Sequence, residues 1–186
     1  MFGTGEIAPT LTLRIKLTKS SSFGMSLSYL SSDASTGAAS SEILQDMLVP
    51  SGTEFSIFSN TPCTSGSGCN YYRPGSVANH GWAGSEKIFL FEFEMPSEPS
   101  ATGTNADMPA IWMLNAQVPR TGQYVSAGCS CWTSGCGEFD IFEVLTTGSD
   151  KAKSTMHGND ASGNAGDSDY FNRPTSGTMK LSVTFS

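Results

Sequence analysis

Residues 87–96, KIFLFEFEMP, constrain the fold most strongly. Their apolar side chains recur with period two. Phe89, Phe91, Phe93 and Met95 therefore share one face of an extended strand, and Ile88, Leu90, Glu92 and Glu94 share the other. A helix would scatter both sets around its axis. The same alternation returns in TLTLRIKLT (10–18), SFGMSLSYL (22–30), EFSIFSN (54–60) and TMKLSVTFS (178–186). MPAIWMLNA (108–116) reads as a short buried strand and KSTMHGN (153–159) as a strand end. Segments rich in Gly, Ser, Pro and Asn separate these runs. The stretches 61–84, 98–107, 118–137 and 160–177 read as loops. SSEILQDML (40–48) reads as a short helix capped by Ser40 or Ser41, with Ile43, Leu44, Met47 and Leu48 on one face. Many short strands joined by long loops predict an all-β sandwich or barrel. With no internal repeat or linker, the 186 residues are expected to form a single domain over 1–186, residues 1–21 being its least defined part.

Composition narrows the partners. Charged residues make up only 15% of the chain and the formal net charge is −7. Nucleic acids and anionic membranes both require clustered Lys and Arg, so neither is expected as a partner. A neutral, hydroxyl-rich ligand suits this surface. No run of eighteen apolar residues is present, so no membrane insertion is expected. Glu6, Arg14 and Lys16 interrupt any leader-like apolar run, so a secreted protein would be expected to have its natural start upstream of Met1.

The five cysteines are Cys63, Cys69, Cys129, Cys131 and Cys136. Cys63 and Cys69 flank TSGSG, a loop that a disulfide can close. CSCWTSGC lacks a paired C-x-x-C or a suitably spaced His, so two disulfides and one remaining thiol are favoured over zinc. Sequence leaves the pairing open. No metal and no cofactor are expected.

The chemistry concentrates in GEFDIFEVL (137–145). Glu138 and Asp140 share a face of a regular strand, but Glu143 lies three positions beyond Asp140 and falls on the other. A β-bulge at Ile141 or Phe142 returns Glu143 to the acidic face and leaves the neighbouring apolar residues for the core. Glu138 and Glu143 are then roughly 13 Å apart at Cα, and their side chains can bring the carboxyl groups to about 5 Å, the separation of a retaining glycosidase. Asp140 between them can raise the proton affinity of the trio. Taken by itself, E-x-D-x-x-E is also compatible with a solvated strand face or a calcium site.

The flanking segments distinguish these readings. GEFDIFEVL resembles the active-site strand of glycoside hydrolase family 16 in its bulged form. MPAIWMLN resembles that family's P-A-x-W-M-L strand, and STMHGN its T-L-H-G strand, in the same order and at the same spacing. SLSYLSSDASTG, CNYYRPGSVANHGW, CSCWTSGCGEFDIFEVL and GDSDYFNRPTSGT are similar to the fungal cell-wall "target of SBF" proteins, which are related to family 16. The resemblance covers about residues 22–186. It implies a concanavalin-like β-jelly-roll of two antiparallel sheets with a carbohydrate cleft on the concave one. It further implies Glu138 as nucleophile, Glu143 as general acid/base, Asp140 as assisting carboxylate, Trp112 as sugar-stacking platform and His157 as a cleft histidine. Met108 stands where many members of the family carry a Trp, and family strands beyond residue 186 are missing, so the fold is expected to be shortened.

Trp132, in the cysteine loop, could stack on sugar or cover the disulfides. Asn115 could bind a hydroxyl or form a turn. His80 has no evident partner. Tyr71, Tyr72, Arg73 and Tyr170 are loop residues that could line a glycan groove, but sequence does not place them. The chain is thus expected to be a secreted or wall-localised, monomeric enzyme acting on β-1,3-glucan by hydrolysis or transfer, an endo-β-1,3-glucanase-like glycoside hydrolase. The alternative is a non-catalytic glucan-binding or structural wall protein.

Overall fold

The computed structural model describes residues 15–20, 26–122, 129, 134–158 and 165–186. It is all-β with antiparallel pairing throughout and a single short helix among the described residues. The strands are β1 (Ile15–Ser20), β2 (Ser26–Leu30), β3 (Gly37–Ala38), β4 (Phe55–Ser59), β5 (Lys87–Phe93), β6 (Ala110–Leu114), β7 (Glu138–Glu143), β8 (Lys151–His157), β9 (Ala165–Asn172) and β10 (Met179–Phe185). Helix α1 (Gln117–Thr121) follows β6. Three sheets result, in the orders β3-β2-β1-β4, β10-β5 and β6-β7-β8-β9.

The period-two reading of KIFLFEFEMP is realised in β5. Exposure alternates along the strand, with Ile88 and Leu90 exposed and the Phe series half-buried. β5 and β10 form one layer, and the β6-β7-β8-β9 sheet forms the other. Between them Phe142, Val144, Met95 and Ala152 make a core that Phe93, Ile111, Phe171, Met179 and Leu181 close. Phe142 meets Phe93 edge-to-face with ring centroids 5.3 Å apart, a preferred aromatic geometry.

Arg173, just past β9, locks this packing at one end. Its buried guanidinium donates to the carbonyls of Met95 and Pro96, to those of Asp107 and Ser149, and at 2.5 Å to Oδ1 of Asp107. These contacts employ all five N–H donors that an Arg carries. One side chain thus ties the end of β5, the 98–108 loop, the β7–β8 connection and β9 together. Asp107 is buried with a positive φ of 51°, and hydrogen bonding to Arg173 holds its carboxyl below the usual range.

Three expectations are corrected. Residues 40–48 form no helix. Instead Glu42 accepts from Ser32 N–H, and Gln45 N–H donates to the Ser32 carbonyl. Ile43 and Leu48 are exposed, so nothing rewards a helical apolar face, and an isolated helix of this length is marginal. Second, 160–177 is not all loop, because β9 runs through it and pairs along β8. Third, the 118–137 stretch contains most of α1. Residues 10–14 and 22–25 of the first two expected strands lie outside the described residues.

Candidate active site

The register of β7 contains the bulge. Toward β6, Phe142 pairs with Ile111 and Asp140 with Trp112, so two steps on β7 match one on β6. Toward β8, Asp140 pairs with Thr155 and Glu143 with Lys153, so three steps match two. The β6 register places the extra residue between Asp140 and Phe142, at Ile141, and the β8 register brackets it between Asp140 and Glu143. Ile141 and Phe142 are both buried, at 2% and 0% exposure, as expected where adjacent residues turn to one side.

Register partners in an antiparallel sheet share a face. On the face opposite the core, Ala110, Glu143 and Lys153 therefore form one row across β6, β7 and β8. Trp112, Asp140 and Thr155 form the next, and Leu114, Glu138 and His157 the third. The three carboxylates lie on one face, with Trp112 on one neighbouring strand and His157 on the other. In the first row β9 adds Tyr170 beside Lys153. Sequence does not name Lys153 and leaves Tyr170 as an unplaced loop residue that could line a groove, because the β9 segment lacks the alternation that would mark it as a strand.

Asp140 is the electrostatic centre. It is 4% exposed, hydrogen-bonds to Glu138, and holds His157 Nε2 at 2.9 Å from its Oδ2. Burial first, and then the Glu138 charge and hydrogen bond, push its pKa from 3.8 up to about 7. Asp140 therefore holds its proton to a higher pH than an ordinary carboxyl does. Glu143 is also raised, by burial and then by the charges of Asp140 and Glu138. His157 and Lys153 partly offset this. The raised pKa of Asp140 keeps a proton available near neutrality on a group that would otherwise have lost it.

A raised carboxyl pKa weakens folding as pH climbs, because the native state binds the proton more tightly than the unfolded chain. Asp140 therefore destabilises increasingly between pH 3.8 and about 7, by on the order of 2–4 kcal/mol once fully ionised. We expect Asp140→Asn to melt close to wild type at pH 4, and roughly 5–10 °C above it at pH 8. Calorimetry at both values checks this. An offset independent of pH would show that the buried charge is not the cause.

Helix α1 follows the end of β6 that pairs with Glu138, where Asn115 N–H donates to Gly137 O. Asn115 Oδ1 accepts from Gln117 N–H, the turn-forming use of that residue. Arg120 of α1 reaches Ala116 O and Cys63 Sγ, and Arg73 N–H donates to Arg120 O. The 61–84 loop is thereby fastened beside the end of β6. Gly81 is needed there, because a Cβ on it would come within 2.9 Å of Ala116 Cβ. The disulfides are Cys63–Cys69 and Cys129–Cys136. Cys131 and Trp132 lie outside the described residues. Among the described residues one group of potential metal donors stands out, Cys63, Cys69 and His80, and its two sulfurs are bonded to each other.

Fold and site together define an all-β protein whose bulged strand sets three carboxylates on the face of an antiparallel sheet turned away from the core. Within that class, the chain belongs to the cell wall protein YJL171C/Tos1 family, matching the C-terminal family profile over residues 15–186. It is 54% identical over 168 residues to the "Probable circularly permuted 1,3-beta-glucanase TOS1" of Saccharomyces cerevisiae, covering 89% of this chain and 36% of that protein. It is 52% identical over 172 residues to the protein of the same name from Candida albicans, covering 89% and 37%. Identity to the "Probable circularly permuted 1,3-beta-glucanase PGA52" of Candida albicans is 45% over 196 residues, covering 98% and 50%. The chain thus spans between about a third and a half of the length of these curated relatives. No solved structure matches it significantly.

Proposed function

We propose that this chain carries the catalytic strand of a retaining β-1,3-glucan-active glycosidase of the fungal cell wall, related to glycoside hydrolase family 16. The observation that carries the reading is the bulge at Ile141, which gathers Glu138, Asp140 and Glu143 on one face while Asp140 bridges Glu138 and His157. The names of the relatives support the substrate class. We read the two packed layers as part of a concanavalin-like jelly roll in one domain.

In this mechanism a glucosyl ring stacks on Trp112, and the Glu138 carboxylate attacks its anomeric carbon. The bond to the leaving oxygen breaks as Glu143 delivers a proton to that oxygen. Asp140, hydrogen-bonded beside Glu138, steadies the nucleophile as it forms its ester, and His157 holds Asp140 in place. Glu143 then removes a proton from water, or from a hydroxyl of a second glucan, which displaces Glu138 and restores the starting anomeric configuration. Water gives hydrolysis, and a glycan acceptor gives transfer.

The test is incubation with defined β-1,3-, β-1,4- and β-1,6-linked oligosaccharides, with products read by mass spectrometry and the new anomeric centre by NMR. Retained configuration on β-1,3-linked substrates is expected. Binding to insoluble glucan with no product from any substrate would replace the enzyme by the non-catalytic wall protein.

A further inference from the structure

Tyr170 is 60% exposed in a strand, immediately before half-buried Phe171, which packs on the core. A lone exposed aromatic needs no explanation. This one, however, has a defined position. Tyr170 pairs with Lys153, which pairs with Glu143, so all three share the carboxylate face. Lys151 Nζ lies 4.2 Å from the Tyr170 ring centroid, a cation–π contact that fixes the ring from one side.

Strand spacing then gives a scale. Trp112 lies one strand from β7 on one side, and Tyr170 lies two strands away on the other, about 10 Å from Glu143. A pyranose ring is about as long as one strand spacing, roughly 5 Å. A glucan laid across the strands from Trp112 therefore passes the carboxylates, crosses Lys153 with its next ring, and meets Tyr170 with the ring after that. The apolar face of a pyranose matches a Tyr ring, and the Lys153 ammonium can donate to hydroxyls on the way.

We propose that Lys153 and Tyr170 form a second glucosyl-binding subsite on the leaving-group side of β7, opposite Trp112, which holds either the departing chain or an incoming acceptor glycan. The proposal rests on the glucan reading above and adds the direction and reach of the bound chain.

The experiment titrates a β-1,3-linked glucose hexasaccharide into the Glu138→Gln protein by calorimetry, with and without Tyr170→Ala or Tyr170→Phe. Stacking predicts that Tyr170→Ala weakens binding about tenfold and that Tyr170→Phe stays within about twofold. In the chain with Glu138 intact, Tyr170→Ala lowers the ratio of transfer to hydrolysis products at high acceptor concentration. Unchanged hexasaccharide affinity in Tyr170→Ala, with unaltered circular dichroism, overturns the subsite while leaving the glucan reading standing. A Glu138→Gln protein that binds no hexasaccharide at all overturns the glucan reading itself.

Discussion

Glu138→Gln should lower turnover of β-1,3-glucan by at least about 10³-fold while leaving the fold intact. Gln has nearly the same shape as Glu and can still hydrogen-bond to Asp140, so the strand keeps its register. It cannot attack an anomeric carbon, and no other carboxylate sits in the same row of the sheet. Glu143→Gln is expected to fail equally on natural glucan. On an aryl glycoside whose leaving group needs no proton it should still show a burst of aryl release, because the first step no longer needs the acid, while later turnover stays slow for want of the base. That contrast separates the two glutamates by chemistry rather than by position. The raised pKa of Glu143 also sets the alkaline limb of the rate profile, with activity falling as pH climbs through it. A Glu138→Gln chain retaining more than a tenth of wild-type turnover would remove the trio from catalysis.

Arg173→Ala should cost about 3–5 kcal/mol of folding stability, the usual loss when one partner of a buried ion pair is removed. At this chain length that corresponds to a melting temperature lower by roughly 10 °C. Asp107 would stay buried without its cation, and the carbonyls of Met95, Pro96 and Ser149 would lose their shared donor. Arg173→Lys should recover little, since a single ammonium cannot serve five acceptors spread around a planar fork. Because Asp107 is held below its ordinary pKa, this contribution is present above about pH 4 and fades as pH falls below it. Urea melts of Arg173→Ala at pH 7 and pH 3 check both claims, the deficit being larger at the first than at the second. An equal deficit at both values would assign the loss to packing rather than to charge. The two buried aspartates thus pull in opposite directions, Asp140 favouring acid and Asp107 opposing it.

Sequence and structure agree where side-chain pattern dictates geometry. The alternation of Phe89, Phe91 and Phe93 can be satisfied only by a half-buried strand, and the E-x-D-x-x-E spacing requires an extra residue if one face is to hold all three acids. β9 escaped because its strand character comes from outside. Gly166, Asp167, Ser168 and Asp169 have little intrinsic preference for extended backbone, and the segment is held by pairing to β8 and by the burial of Phe171. With β9 unseen, Tyr170 stayed among unplaced loop residues, and Lys153 was read only as the start of a strand end. The 40–48 error has the converse origin. Ile43, Leu44, Met47 and Leu48 have helical spacing, but Glu42 and Gln45 are held by Ser32 and the apolar set finds no surface to cover.

The kink at Ile141 has a consequence for how this strand tolerates change in length. Side chains along a ribbon alternate as odd and even numbers do, and a doubled position resets the count. Deleting Ile141 would restore strict alternation from Glu138 onward, yet the last glutamate would still face the same way as the first, opposite the same partners on the neighbouring strands. Deleting Phe139 instead would swap the parity of Glu138 against Asp140 and send one of them toward Phe93 and Met95. The strand can therefore lose a residue at one point and keep its chemistry, whereas the same loss two positions earlier would drive a carboxylate into the apolar interior.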